Sequence, residues 1–405
     1  MTKLRRSPER ILLPRGFSFS ALAAGIKVSG RPDLALADAG TRATAAALFT
    51  KNRVVAAPLQ VGRASLQATG GKVRAVVINS GNANCATGAD GHRGCEAVCR
   101  EAANLLGVSA AEIFPSSTGI IGVRFPHEKV TAKLPELIVS RSSSQPAALA
   151  FARAILTTDT RAKIAAARFK AGASQVTLLG IAKGSGMIHP KLATMLVYLF
   201  TDVVASPREL RRILRATCDE SLNSMSVDGD TSTNDTVLLL ANGQSGCRVG
   251  DGRLKTKFAG SLLTVCQSLA EQIVTDGEGV QHVIRLVIEQ SENRDEAMQV
   301  ARAIAHSALV KTAWAGADPN WGRILAAVGN SGVNIDPSRV KIFIGTQKVC
   351  RNGVGCAFDE KRAHRALSQP VCDVRVQLGR GPSGVRFLTT DLTAEYVRIN
   401  ADYST

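Results

Sequence analysis

Aromatic side chains are scarce in this sequence: Phe, Trp and Tyr together make up 4% of 405 residues, with two Trp and three Tyr among them. Stacking platforms for single-stranded nucleic acid therefore have little material to be built from. No apolar run reaches the roughly 18 residues that a membrane-spanning helix needs. The amino-terminal stretch MTKLRRSPERILLPRGF is basic but carries no apolar segment of signal-peptide length. The expectation is a soluble, cytoplasmic protein with no membrane partner. A GxxxxGK[ST] phosphate loop is missing, and the glycines of NSGNANCATGADG, residues 79–91, lack the spacing of a dinucleotide fingerprint. The nine cysteines form no CxxC pair and no zinc-type Cys/His spacing, so they read as reduced thiols. Cys95 and Cys99, four apart on a helical pattern, read as small buried apolar residues. Acidic residues number only 33 against 50 Lys and Arg, which leaves a net charge of +17. Such an excess attracts anions, yet the cations are scattered, and the dense group Arg208, Arg211, Arg212 and Arg215 has the spacing of one solvated helix face.

What is present is ordinary material for a folded chain: 45% hydrophobic and 20% charged residues. The length suits one large domain or two intimately packed ones. Apolar or alternating runs predict strands at 73–80, 175–184, 194–202, 236–243, 283–289, 341–346, 371–379 and 385–392. Amphipathic spacing predicts helices over 95–106, 207–222, 261–273 and 295–312. Ser206 followed by Pro207 is a good helix start, a capping side chain and then a residue that needs no amide partner. Strands and helices interleave without the regular alternation of a doubly wound fold, which points to an α/β protein of another kind.

The segment KGSGMIHPKLATML, residues 183–196, raises a chemical possibility. A cut between Ala193 and Thr194 gives Thr194 a free α-amine beside its own hydroxyl. An α-amine has a pKa of about 7.7 to 8.0, so it is partly neutral near pH 7 and can take the hydroxyl proton. Small residues around the junction, including Gly184 and Gly186, let the backbone bend for the hydroxyl to attack its preceding carbonyl. On the threonine alone, the plainer reading is a strand-start hydroxyl that satisfies a local hydrogen bond.

The whole segment resembles the self-cleavage signature of the bifunctional ornithine acetyltransferase (glutamate N-acetyltransferase) family of arginine biosynthesis. Other segments resemble that family in the same order: SSTGIIG (116–122), TTDT (157–160), VDGDTSTND (227–235), DGEG (276–279), LVKTAWAGADPNWGRI (309–324) and DLTAEYVRINADYST (391–405). The resemblance implies layered sheets covered by helices in a self-cleaving enzyme with an N-terminal threonine nucleophile. Residues 1–193 become the first chain and residues 194–405 the second, sharing one core.

Carried over, Thr194 is the nucleophile, and Thr118 and Gly119 are the oxyanion pair, a hydroxyl and a backbone amide. Thr157, Lys183, Glu278, Asn400 and the terminal Thr405 match substrate contacts, with Thr158 an alternative to Thr157 by one residue. The implied reaction passes an acetyl group from N-acetylornithine through Thr194 to glutamate, with acetyl-CoA left open as a second donor. No metal or organic cofactor is implied, and two cleaved pairs are expected to form a heterotetramer. Lys191 departs from the pattern, standing where asparagine is expected, and bears on cleavage rate.

Residues outside these roles have plainer readings. His189 is read as a loop residue, Asp228, Asp230 and Asp235 as braces for turns near the site, and Trp314 and Trp321 as packing residues. A rival enzyme reading is an amidase or aminopeptidase that uses the same threonine with water as acceptor. A rival of another class is a basic nucleic-acid-binding protein, against which the scarcity of aromatics and of any binding motif counts.

Overall fold

The structure, a computed structural model, describes residues 11–189, 195–250 and 252–402. Its first sheet has eight strands: β1 (Ser18–Leu22), β2 (Leu34–Phe49), β3 (Lys72–Asn82), β4 (Ile113–Ile120), β5 (Lys163–Ala171), β6 (Ser174–Lys183), β7 (Leu196–Thr201) and β8 (Thr236–Ala241). They run in the order β4-β3-β2-β8-β7-β6-β5, with β1 on the free part of β2. The β3/β4 and β7/β8 pairs are parallel and the remaining pairs antiparallel.

The apolar runs that form β6, β7 and β8 are buried on both faces, which is why they are continuous rather than alternating. In β6 and β7, Leu178, Val197 and Leu199 face one core, while Leu179, Ile181, Tyr198 and Phe200 face the other. The first core is closed by α5 (Pro207–Asp219) and α6 (Arg253–Thr275). The second gathers many of the few aromatics: Phe17, Phe19, Phe151 and Phe200 meet edge to face, with Phe17 and Phe200 centroids 5.3 Å apart. Helices α1 (Ala57–Ala68), α2 (Gly88–Leu106), α3 (His127–Val139) and α4 (Gln145–Ala154) complete this half. Cys95 and Cys99 of α2 are buried, as their spacing implied.

The second sheet has the order β12-β11-β10-β13-β9-β14. Its strands are β9 (Val283–Ser291), β10 (Lys341–Ile344), β11 (Gln347–Arg351), β12 (Val354–Gly355), β13 (Val371–Gln377) and β14 (Ser383–Thr390). Helices α7 (Arg294–Ala305), α8 (Ala308–Ala315), α9 (Trp321–Gly329) and α10 (Glu360–Leu367) are arrayed with it, and α11 (Ala394–Asp402) ends the described chain. A short ladder joins the halves: Ser226 N–H donates to the Leu388 carbonyl, and Leu388 N–H to that of Ser224, both at 2.9 Å.

Helix α5 starts as expected, with a full capping box of Ser206 and Glu209. Its arginines 208, 211, 212 and 215 are exposed. The helix expected over 295–312 is instead two, because Ser307 caps a new helix by accepting the Val310 amide. The long β2 and the Ala-rich β5, KIAAARFKA, were not anticipated.

Candidate active site

In the sequence, the junction at 193–194 falls between the segments that form two neighbouring strands. Lys183 ends β6 and Leu196 opens β7, and the two residues are register partners in an antiparallel pair. The candidates Ala193 and Thr194, with Lys191 and Thr405, lie outside the described residues.

The remaining six candidates meet. Thr118, Gly119, Thr157, Lys183, Glu278 and Asn400 line one cleft of about 100 Å³, along with Thr158, Gly186, Met187, Ser232 and Asn234. They arrive from β4, the turn after α4, the end of β6, the loop before β8, the turn after α6, and α11. Larger hollows of about 940 and 800 Å³ sit among the helices of the second half, but they gather none of these residues.

Gly119 has a backbone that an L side chain rarely adopts, with φ +131°. It is the register partner of Gly81 in β3, and the pairing shifts at Gly81/Asn82 in a bulge-like irregularity. A Cβ at 119 would lie 2.4 Å from the Gly81 carbonyl carbon. Two bare glycines thus let β3 and β4 approach where β4 turns its end toward the cleft. Asn234 secures the same corner by donating to the Ala83 and Ser117 carbonyls at 2.7 and 2.9 Å.

Lys183 is buried at 4% exposure. Its ammonium donates to Thr157 Oγ1 at 2.8 Å and lies 3.8 Å from Asp159 Oδ2. Asp159 also accepts from Lys163 Nζ and from the Gly184 amide, both at 2.6 Å. Lys163 makes a second contact of 2.6 Å, to Asp276. Burial opposes the charge on Asp159, but Lys183 and Lys163 outweigh it and hold the carboxyl below its ordinary range. The two lysines and two aspartates therefore form a buried charged network beneath the cleft. Thr157 takes the Lys183 contact, whereas Thr158 Oγ1 lies 2.7 Å from Ser185 Oγ. Both threonines line the cleft.

Glu278 packs its carboxylate against Gly186, where a Cβ would lie 2.3 Å from Oε2. Asn400 Nδ2 donates to the same oxygen at 2.9 Å. Asp228 braces the loop that follows β6, accepting the Met187 and Ile188 amides at 2.5 and 2.8 Å. Burial raises its pKa to about 6 against the pull of those backbone donors. His189 is no lining residue: its ring lies 3.2 Å from His306, which in turn contacts Ser226. Trp314 is a core residue, and Trp321 packs beside that core.

Asp159, Ser185 and Asn234 belong to the site, although none was singled out from the sequence. Asp159 and Asn234 lie inside TTDT and VDGDTSTND, so membership of those segments was the available signal. Among the described residues no group of His, Cys, Asp and Glu could hold a metal ion, and no helix is long and apolar enough to cross a membrane.

Comparison with known proteins extends the geometry. The ArgJ family model matches residues 18–405. The arginine biosynthesis bifunctional protein ArgJ of Thermus thermophilus is 46% identical over 395 residues, 98% of this chain and 100% of that one. Its counterpart from Methylococcus capsulatus is 41% identical, covering 96% of this chain and 95% of its own. A crystal structure of the Bacillus halodurans ArgJ protein is 36% identical and covers 51% of this chain and 98% of that chain, with a TM-score of 0.49. The chain belongs to the ArgJ family, the bifunctional acetyltransferases of arginine biosynthesis that its segments resemble.

Proposed function

We propose that the chain cuts itself between Ala193 and Thr194 and then transfers an acetyl group from N-acetylornithine to glutamate. The mature enzyme is residues 1–193 paired with residues 194–405. The hydroxyl of Thr194 gives its proton to its own α-amine and attacks the acetamide carbonyl carbon. The carbonyl oxygen gains the negative charge and is met by the Thr118 hydroxyl and the Gly119 amide. The C–N bond breaks, ornithine leaves with the proton, and an acetyl ester remains on Thr194. The amine of glutamate then attacks that ester, the acyl C–O bond breaks, the amine's proton passes through the α-amine to the Thr194 oxygen, and N-acetylglutamate departs.

The observation that carries this reading is the convergence of Thr118, Gly119, Thr157, Lys183, Glu278 and Asn400 on one cleft. The cleft presents both signs of charge. Lys183 suits a substrate carboxylate, since an ammonium has three donors and Thr157 takes only one. Glu278 suits an amino-acid ammonium. Strands β6 and β7, on opposite sides of the cut, pair over Leu178–Lys183 and Leu196–Thr201 and supply both cores, so cleavage need not part the halves.

Incubation with N-acetylornithine, with and without glutamate, tests the transfer. Acetylglutamate formation that requires both substrates is expected. Acetate release that ignores glutamate would replace transfer by amide hydrolysis. Intact mass tests the maturation: the active species is two fragments, the second beginning Thr-Met-Leu, and Thr194→Ala stays at 42.6 kDa and inactive. Acetyl-CoA, left open as a second donor, is tested by thiol release in the presence of glutamate. Two cleaved pairs associate as a heterotetramer in this reading, so light scattering should give twice the chain mass.

A further inference from the structure

Asp235 closes the segment VDGDTSTND and stands directly before β8, at 1% exposure. Among the described residues it is the one aspartate of that segment bonded to Met195, directly before β7. Its Oδ1 accepts the amide of Met195 at 2.9 Å. That amide nitrogen is the atom joined covalently to the carbonyl carbon of residue 194. The Met195 carbonyl is held as well, accepting the Thr236 amide at 3.1 Å, so both polar groups of Met195 are fixed by consecutive residues, 235 and 236. Asp235 is itself anchored, since its carbonyl accepts the Thr50 amide at 3.0 Å at the end of β2.

The same short segment controls the other side of the cleft. Asn234, one residue earlier, donates to the Ser117 carbonyl, and Ser117 precedes Thr118. Asn234 and Asp235 therefore tie the strand end that carries the oxyanion pair to the first described amide after the junction. Burial pushes the Asp235 carboxyl well above its ordinary range, against the Met195 amide, the charge of Lys183 and contacts from Thr50 and Ser232. Its second oxygen, Oδ2, is buried and has no hydrogen-bond partner among the described residues. A buried polar oxygen without a partner costs stability, and such groups gather where function holds them in place.

We propose that Asp235 is a positioning residue for the nucleophile: by holding the amide of Met195, the residue bonded to Thr194 in the chain, it fixes the point from which the nucleophile is carried. The inference rests on the reading of Thr194 as nucleophile. It gives Asp235 no contact with substrate, so its loss acts on the rate of the chemical step and leaves binding alone. Self-cleavage and acetyl transfer share the same hydroxyl, so both respond together.

The test uses the full chain carrying Asp235→Ala or Asp235→Asn, with cleavage followed by intact mass and transfer followed as kcat and KM for N-acetylornithine. Alanine is expected to slow cleavage and to lower kcat by about 10²-fold, the usual effect of a misplaced reacting group, with KM unchanged. Asparagine keeps an acceptor for the Met195 amide and is expected to restore both rates to within about threefold of wild type. If the alanine chain does not fold, Asp235→Ser, whose hydroxyl is too short to reach that amide, takes its place with the same expectation. Wild-type rates in the alanine or serine variant overturn the inference. So does a raised KM at unchanged kcat, or a folded asparagine variant as slow as alanine. A Thr194→Ala chain that still turns over would instead overturn the reading on which the inference rests.

Discussion

Adding a single methyl group at Gly119 tests the proposed oxyanion corner most directly. A Cβ there would lie 2.4 Å from the Gly81 carbonyl carbon and 2.6 Å from the Asn82 nitrogen. Comfortable carbon contacts begin near 3.5 Å, so β3 and β4 must part by about 1 Å at their paired ends. The φ of +131° adds backbone strain, of order 1–3 kcal/mol for a non-glycine residue. Overpacking typically adds another ~1–3 kcal/mol. The sum, about 2–6 kcal/mol, is serious against a typical stability of ~5–15 kcal/mol but leaves room for a folded chain. The same displacement carries the 119 amide away from the oxygen it is proposed to stabilise. Loss of one such donor costs ~10²- to 10³-fold in rate. Gly119→Ala should therefore melt lower than wild type, keep its far-ultraviolet spectrum, and lose at least about 10²-fold in kcat for acetyl transfer. A folded Gly119→Ala enzyme with a kcat within about threefold of wild type would refute the assignment of this amide.

Three further outcomes follow from the same geometry. Lys163→Met leaves Asp159 and Asp276 buried without their shared cation, which should destabilise the fold by about 3–5 kcal/mol in a denaturant titration. Asp159 has its folded pKa depressed, so its contribution is present above the unfolded value near 3.9 and is lost as pH falls below it. Wild-type stability should accordingly drop on acidification below about pH 4, and Lys163→Met should flatten that drop. Gly186→Ala pushes on the Glu278 carboxylate, so KM for N-acetylornithine should rise by about tenfold while thermal stability changes little, as read by steady-state kinetics and a melting curve.

The chain's own residues announced a good deal. QVTLLGIAKG reads as a strand because continuous β-branched and leucine residues suit a two-sided core, and β6 occupies Ser174–Lys183. Ser206, Pro207 and Glu209 announce α5 because capping is local chemistry, complete within four residues. Where side chains carry little preference, the reading failed. The alanines of LALADAGTRATAAALF suit neither helix nor strand decisively, and β2 exists because β1, β3 and β8 pair along it. The break at Ser307 was missed because helical spacing continues across it while a capping hydroxyl ends one helix and starts another.

By itself the sequence offered the chemical types, a threonine at the 193–194 junction with hydroxyls, a lysine and a glutamate, because segments that resemble one family in the same order carry that much. Only the tertiary structure decided that Thr118 and Asn400, hundreds of residues apart, share a cleft, and that Asp235 grips Met195 across a gap of forty residues. Strand order and register make such meetings, and these depend on which faces of distant segments bury each other, a choice no local run of residues contains.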